Sequence, residues 1–229
     1  MKNLILVLTV LLFLFSCSKK IMQTKVSYNE TQIDLSTHRL AVYSIIQNTK
    51  YLIVFESGLG DNHTIWDKKN IAQIISNKSD VLLYDRAGYG ISGKGVEPRN
   101  IAKLSEELDC VIKKNSNGRK VILVGHSLGG FIIRDYAIKN PTKTAGLLFI
   151  DPSHEKYNRP TQSQENLVKL LVGIKSKGAR LEAKELIEDA EYMATVSGLP
   201  DVPVIVLTSM KQDDTNANRS EERRVGKEC

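Results

Sequence analysis

Val121-Ile122-Leu123-Val124-Gly125-His126-Ser127-Leu128-Gly129-Gly130 decides how the rest of the chain is read. Four apolar residues run straight into Gly-x-Ser-x-Gly, and a helix-like segment follows from Phe131 to Lys139. A buried strand that stops at a serine between glycines marks a sharp strand-to-helix turn. Ser127 then sits in a strained backbone conformation, while Gly125 and Gly129 have no Cβ to clash with the neighbouring strand and helix. The turn lifts the hydroxyl off the sheet edge. It also points the first N–H groups of the helix at whatever the hydroxyl attacks.

Upstream, residues 24–35 alternate weakly and suggest an edge strand or hairpin. Leu40–Ile46 reads as a second strand. Tyr51–Phe55 and Asp80–Tyr84 are near-continuous apolar runs, as expected of strands buried on both faces. The first ends in Glu56-Ser57-Gly58-Leu59-Gly60-Asp61, the second in Asp85-Arg86-Ala87-Gly88-Tyr89-Gly90-Ile91-Ser92. Between them Asp67–Asn77 is a helix candidate with Ile71, Ile74 and Ile75 on one face. A helix from Asn100 to Asn115 keeps Ile101, Leu104, Leu108, Val111 and Ile112 at helical spacing, with Cys110 read as a small core residue, and stops at Asn117-Gly118.

Downstream, Pro141 breaks the helix after Ser127, and Ala145–Ile150 is another buried strand ending at Asp151-Pro152. Residues 153–200 are polar and rich in Lys and Glu. They predict two helices, about 162–176 and 179–195, the first with an apolar stripe of Leu167, Leu170, Leu171 and Ile174. Val202–Leu207 returns as a buried strand. Strands alternating with helices imply a mostly parallel sheet covered on both faces. Ligand chemistry in such a sheet belongs at the carboxyl ends of the strands. Ser57–Gly60, Asp85–Ser92, Ser127, Asp151 and Ser209–Asp214 all lie at such ends.

Composition fits one globular domain: 229 residues, 41% hydrophobic and 25% charged. The net charge of +6 is spread over scattered lysines without a basic stripe interleaved with aromatics, so nucleic acid is a poor partner. No His/Cys cluster has zinc-site spacing, and the pattern requires no metal or cofactor. Met1-Lys2-Asn3 followed by the apolar run Leu4–Phe15 is a targeting segment, too short for a comfortable spanning helix. Its ending, Leu14-Phe15-Ser16-Cys17, resembles a bacterial lipobox. That makes residues 1–16 a signal peptide, Cys17 a lipidated N-terminus, and 17–23 a tether to a membrane of the cell envelope, periplasmic or outer. An ordinary secretory signal or an uncleaved anchor is the alternative.

Three motifs in this order and spacing resemble the α/β-hydrolase fold superfamily: the oxyanion-side Glu56–Gly60 loop with Trp66 downstream, Asp85–Ser92, and Gly125–Gly130. The resemblance covers roughly residues 25–215. It implies an α/β fold, a mostly parallel doubly wound sheet formed by residues 24–152 and 201–218. A helical lid, 153–200, is inserted before the penultimate core strand. It also implies Ser127 as nucleophile, with the backbone N–H of Leu128 as one oxyanion donor. The second donor is assigned to Leu59, although Ser57 stands where many relatives carry His. The acid has two positions in such relatives. Asp151, in Asp151-Pro152-Ser153-His154, is favoured over Asp214 or Asp213.

The histidine is the gap. Chain order in this fold is Ser, acid, His, and no strand with a following His loop lies beyond residue 214. His38 reads as an exposed early-strand residue, and His63 as part of the oxyanion-side loop. His126 reads as packed beneath the elbow. His154 opens the lid, too close to Asp151 along the chain to be its independent partner. Arg219–Cys229 breaks from the preceding patterning. It resembles a string that recurs at the ends of unrelated translated sequences through read-through. The expectation is therefore a gene interrupted after about residue 218, with the catalytic His lost; a genuine charged tail is the alternative. The implied activity is cleavage of a small-molecule ester or amide through an acyl-enzyme. A non-catalytic small-molecule-binding relative and an acyltransferase are the alternatives. A haloalkane dehalogenase is disfavoured because its nucleophile is a carboxylate.

Overall fold

The computed structural model describes residues 27–209, apart from Asn158 and Ser197. The signal peptide, Cys17, the tether, Asp213, Asp214 and the tail 219–229 lie outside the described residues. Among the described residues, seven strands form one sheet: β1 (Asn29–Asp34), β2 (Arg39–Ile45), β3 (Leu52–Glu56), β4 (Asp80–Tyr84), β5 (Val121–His126), β6 (Thr144–Ile150) and β7 (Val204–Leu207). Their spatial order is β1-β2-β4-β3-β5-β6-β7. The β1–β2 and β2–β4 pairs are antiparallel and all others parallel. The chain builds outward from β3 to β4, then crosses back to place β5 on the other side of β3. The switch point therefore lies between β3 and β5, where ligands of open α/β sheets bind.

The strands are buried because their side chains are apolar on both faces. β4 is buried at every position, and β3 at all but Ile53. The described residues also hold six α-helices: α1 (Ile71–Ser76), α2 (Ile101–Asn115), α3 (Leu128–Lys139), α4 (Gln162–Gly173), α5 (Lys177–Glu182) and α6 (Leu186–Thr195). One face packs against Leu104, Leu108 and Val111 of α2, Ile132, Ile133 and Tyr136 of α3, and Met193 of α6. The opposite face packs Phe55, Leu83 and Val124 beneath Trp66 and Ala72. At the amino end of β4, fully buried Asp80 ties the strand loops together. It accepts from the N–H groups of Gln47 (2.8 Å) and Thr49 (3.1 Å) and from the Arg119 guanidinium. Burial works against its charge, but these donors hold its pKa down at about 2.

Several expectations need correction. The helix expected over 67–77 is a 3-10 helix, His63–Asn70, followed by α1. Asn70 at φ 57° turns the chain between them, so Ala72 and Ser76 face the protein while Ile71 and Ile74 are exposed. The second lid helix is two, α5 and α6, broken at residues 183–185. The stripe of Leu167, Leu170, Leu171 and Ile174 faces solvent, from 55% to 81% exposed. The residue α4 buries is Glu165, which accepts the Ile187 N–H at 3.2 Å. Finally, Cys110 is half-buried rather than in the core, His38 is buried, not exposed, and β7, expected as a buried strand, is exposed from Ile205 to Leu207 because only β6 pairs with it among the described residues.

Candidate active site

Ser127 closes β5 and caps α3 at φ 51°, ψ −120°, a conformation L-residues reach only under strain. Glycines make the turn feasible. A Cβ on Gly125 would stand 2.7 Å from the Gly129 carbonyl oxygen, and one on Gly129 would stand 2.4 Å from that of Glu56. The start of α3 therefore abuts the end of β3, which brings the loop after β3 over the serine. A Cβ on Gly58 would lie 3.2 Å from Ser127 Cβ and 2.9 Å from His126 Nδ1. The backbone of Ser127 is held from the other side. Its N–H donates to the Ile150 carbonyl (3.1 Å), and its carbonyl accepts from Ser153 (3.0 Å) and Gly130 (2.9 Å).

The loop Ser57-Gly58-Leu59-Gly60 is braced by a buried polar cluster. Arg86 donates to the carbonyls of Ser57 (2.6 Å) and Gly58 (2.9 Å). In a trans peptide the N–H points opposite the carbonyl, so the Leu59 N–H is aimed away from Arg86. It has no hydrogen-bond partner among the described residues. Leu128 opens α3, where the first N–H groups lack intrahelical acceptors. The Ser57 hydroxyl takes over the bracing expected of a histidine. It accepts from the Trp66 indole (3.0 Å) and donates to the Asn62 carbonyl (3.2 Å). Arg86 is neutralised by Glu56 (2.7 Å) and by Glu182 of α5 (2.8 Å). Burial pushes the Glu56 carboxyl up, while Arg86 and the Tyr84 hydroxyl pull it back. A cleft of about 320 Å3 runs beside this loop, lined by Gly60, Thr64, Lys68, Gly90, Lys175 and Lys177.

Asp151 stands at the end of β6 at φ 41°. Its N–H donates to Leu207 (2.8 Å), and its exposed carboxylate accepts from the Ser209 N–H. Strand pairing thus brings Ser127, the Leu59 loop and Asp151 to one end of the sheet. The histidines are spent elsewhere. His63 pairs through Nδ1 with buried Asp85 (2.8 Å) and stacks on Tyr43 at 3.6 Å. His38 lies 3.3 Å from Glu107, and burial lowers its pKa. His154 is half exposed beside Glu155, at 3.7 Å. His126 Nδ1 is buried with no partner among the described residues. All four histidines of the chain are described, and none is hydrogen-bonded to Ser127 or Asp151.

Arg86 and Tyr89 both stand in the Asp85–Ser92 motif, without a role legible there, whereas Glu182 stands in no motif. The motif itself was the signal for both. Glu182 carried none, because its contact with Arg86 spans a sequence separation of 96.

A strained serine at the switch point of a mostly parallel sheet, facing a clamped glycine loop, defines an alpha/beta hydrolase fold. The chain belongs to that family, whose model matches residues 51–174. It is 34% identical over 113 residues to a pimeloyl-[acyl-carrier protein] methyl ester esterase of Wigglesworthia glossinidia brevipalpis, covering 48% of this chain and 40% of the esterase. It is 28% identical over 109 residues to the human (lyso)-N-acylphosphatidylethanolamine lipase, covering 46% of this chain and 31% of the lipase. The chain thus matches less than half the length of these curated relatives. Among solved structures, the epoxide hydrolase CorEH superposes with a TM-score of 0.65 at 14% identity, covering 80% of this chain and 82% of that one.

Proposed function

We propose that the chain derives from a serine hydrolase that cleaves a small-molecule ester or amide through an acyl-enzyme. Ser127 is the nucleophile, and the N–H groups of Leu59 and Leu128 receive the oxyanion. Asp151 orients the base, with Asp214 or Asp213 as the alternative acid. The observation that carries the reading is the approach of Gly58 to Ser127. It sets a donor loop and a strained nucleophile on opposite sides of one small space, as attack on a carbonyl requires. The base is missing from these 229 residues, since each histidine is committed elsewhere or unconnected to the serine. This chain is therefore a poor catalyst unaided.

The test supplies the base. The chain is treated with a fluorophosphonate, with and without added imidazole. We expect slow labelling at Ser127 that imidazole accelerates, and none in Ser127→Ala. Equal labelling of the Ala variant overturns the nucleophile, and full turnover of p-nitrophenyl acetate without imidazole overturns the missing base. The lack of a histidine bonded to Ser127 favours a second reading, a relative that binds a small molecule without turnover; acyl transfer is a third. The protein is held at a membrane of the cell envelope through a lipid on Cys17. Cys17→Ser should move it from the membrane fraction to the soluble fraction, and an unchanged distribution would sink the anchor.

A further inference from the structure

We infer that Glu182, a residue of the lid, is a positioning residue for the oxyanion loop, acting through Arg86. The inference rests on the Ser127 reading, because it assigns a role within that site. Glu182 is fully buried, and both its oxygens accept hydrogen bonds. One accepts from Arg86 Nε at 2.8 Å. The other accepts from Arg86 Nη2 at 2.9 Å and from the Tyr89 hydroxyl at 2.6 Å. The bidentate fork fixes the plane of the guanidinium, which a single point contact cannot do.

With its plane fixed, Arg86 presents Nη1 to the Ser57 carbonyl and Nη2 to the Gly58 carbonyl. The Tyr89 hydroxyl, held by the same carboxylate, accepts the Gly60 N–H at 3.2 Å. Three backbone groups around Leu59 are thus tied to two side chains that share Glu182. Glu56 also pairs with Arg86, but it comes from the end of β3 and anchors the charge from the core side. Among the described residues, only Glu182 reaches Arg86 from the lid. A lid packed in place therefore sets the direction of the Leu59 N–H, and a displaced lid frees the loop.

The test uses the full chain with Glu182→Gln, which keeps shape and loses the paired charge, and Glu182→Asp, which keeps the charge. The imidazole-assisted fluorophosphonate reaction at Ser127 is resolved into a binding constant and a maximal labelling rate. We expect Glu182→Gln to lower the maximal rate at least about ten-fold, as loss of an oxyanion donor does. The binding constant should change little, and Glu182→Asp should recover part of the rate. The Leu59 amide resonance, read by NMR without any label, should shift in Glu182→Gln and exchange faster with solvent. A lower urea midpoint with an unchanged labelling rate and an unmoved Leu59 amide would overturn the inference and leave Glu182 a purely structural residue. If the wild-type chain fails to label at all, the Ser127 reading fails. The Leu59 amide then still decides whether Glu182 sets the loop.

Discussion

Asp189 illustrates what one side chain costs when it is buried without a full set of partners. It is 2% exposed; one oxygen accepts the Ile101 N–H at 2.7 Å, and the other has no partner among the described residues. Burial raises its pKa to about 8, the Ile101 N–H pulls it back, and Glu185, Glu182 and Glu188 add to the rise. Between the unfolded value near 4 and about 8, the native chain keeps a proton that the unfolded chain has released. Unfolding free energy therefore falls as pH rises across that window and levels off above it. Asp189→Asn keeps the acceptor for Ile101 and cannot ionise. It should exceed the wild type at pH 8 by on the order of 5 kcal/mol in urea unfolding, with the gap shrinking toward pH 5. Identical pH slopes for the two proteins would refute the assignment. The nucleophile elbow was legible at this same scale, because a strained turn admits few residue types. Gly125, Ser127 and Gly129 carry their own explanation in sequence. A further consequence is that Gly129→Ala should abolish labelling at Ser127, since its methyl would stand 2.4 Å from the Glu56 carbonyl oxygen.

Elements were readable in existence and type, but less so in the direction they face. Helical spacing identified α4, yet its leucines lie outward and Glu165 lies inward, because the neighbour that decides the buried side is the distant Ile187 N–H. The lid is pinned unevenly. At α5 the Ser176 hydroxyl donates to the Gly88 carbonyl at 2.8 Å, and Gly178 packs directly on that loop. A Cβ on Gly178 would stand 2.3 Å from the Ala87 carbonyl oxygen and 2.8 Å from the Tyr89 ring. Gly178→Ala should therefore push α5 off the core and lower the melting temperature by several degrees, given ~2–4 °C per kcal/mol for a chain of this size. Gly173→Ala makes a control within the lid. The nearest atoms to its Cβ would be Arg180 side-chain carbons at 3.2 Å, a far looser approach than the 2.3 Å at Gly178. Equal melting temperatures for the two variants would show that the Gly178–Gly88 contact does not fasten the lid. Neither glycine is distinguishable in sequence, where both stand in the same Lys-rich stretch.

For the molecule as a whole, the alternation of apolar runs with helices predicted the mostly parallel sheet. It did not predict which parts of each face are covered. Coverage depends on what stands opposite. Val124 is buried beneath the layer that carries Trp66 and Ala72, whereas Leu148 and Ile150 of β6 are only half-buried. Their register partners on β7, Ile205 and Leu207, are 58% and 44% exposed. β7 pairs with β6 alone among the described residues, so it offers an apolar face and an open ladder of backbone groups together. Such an edge recruits a second chain unless it carries charge. Placing Lys at Ile205 and Leu207 should suppress association at little cost to the fold, since neither side chain contributes to either buried core. Light scattering across a concentration series should show larger species for the wild type and a monomer for the double variant, with circular dichroism unchanged. Association that persists undiminished in the double variant would move the sticky surface elsewhere, with the exposed stripe of α4 next to be charged.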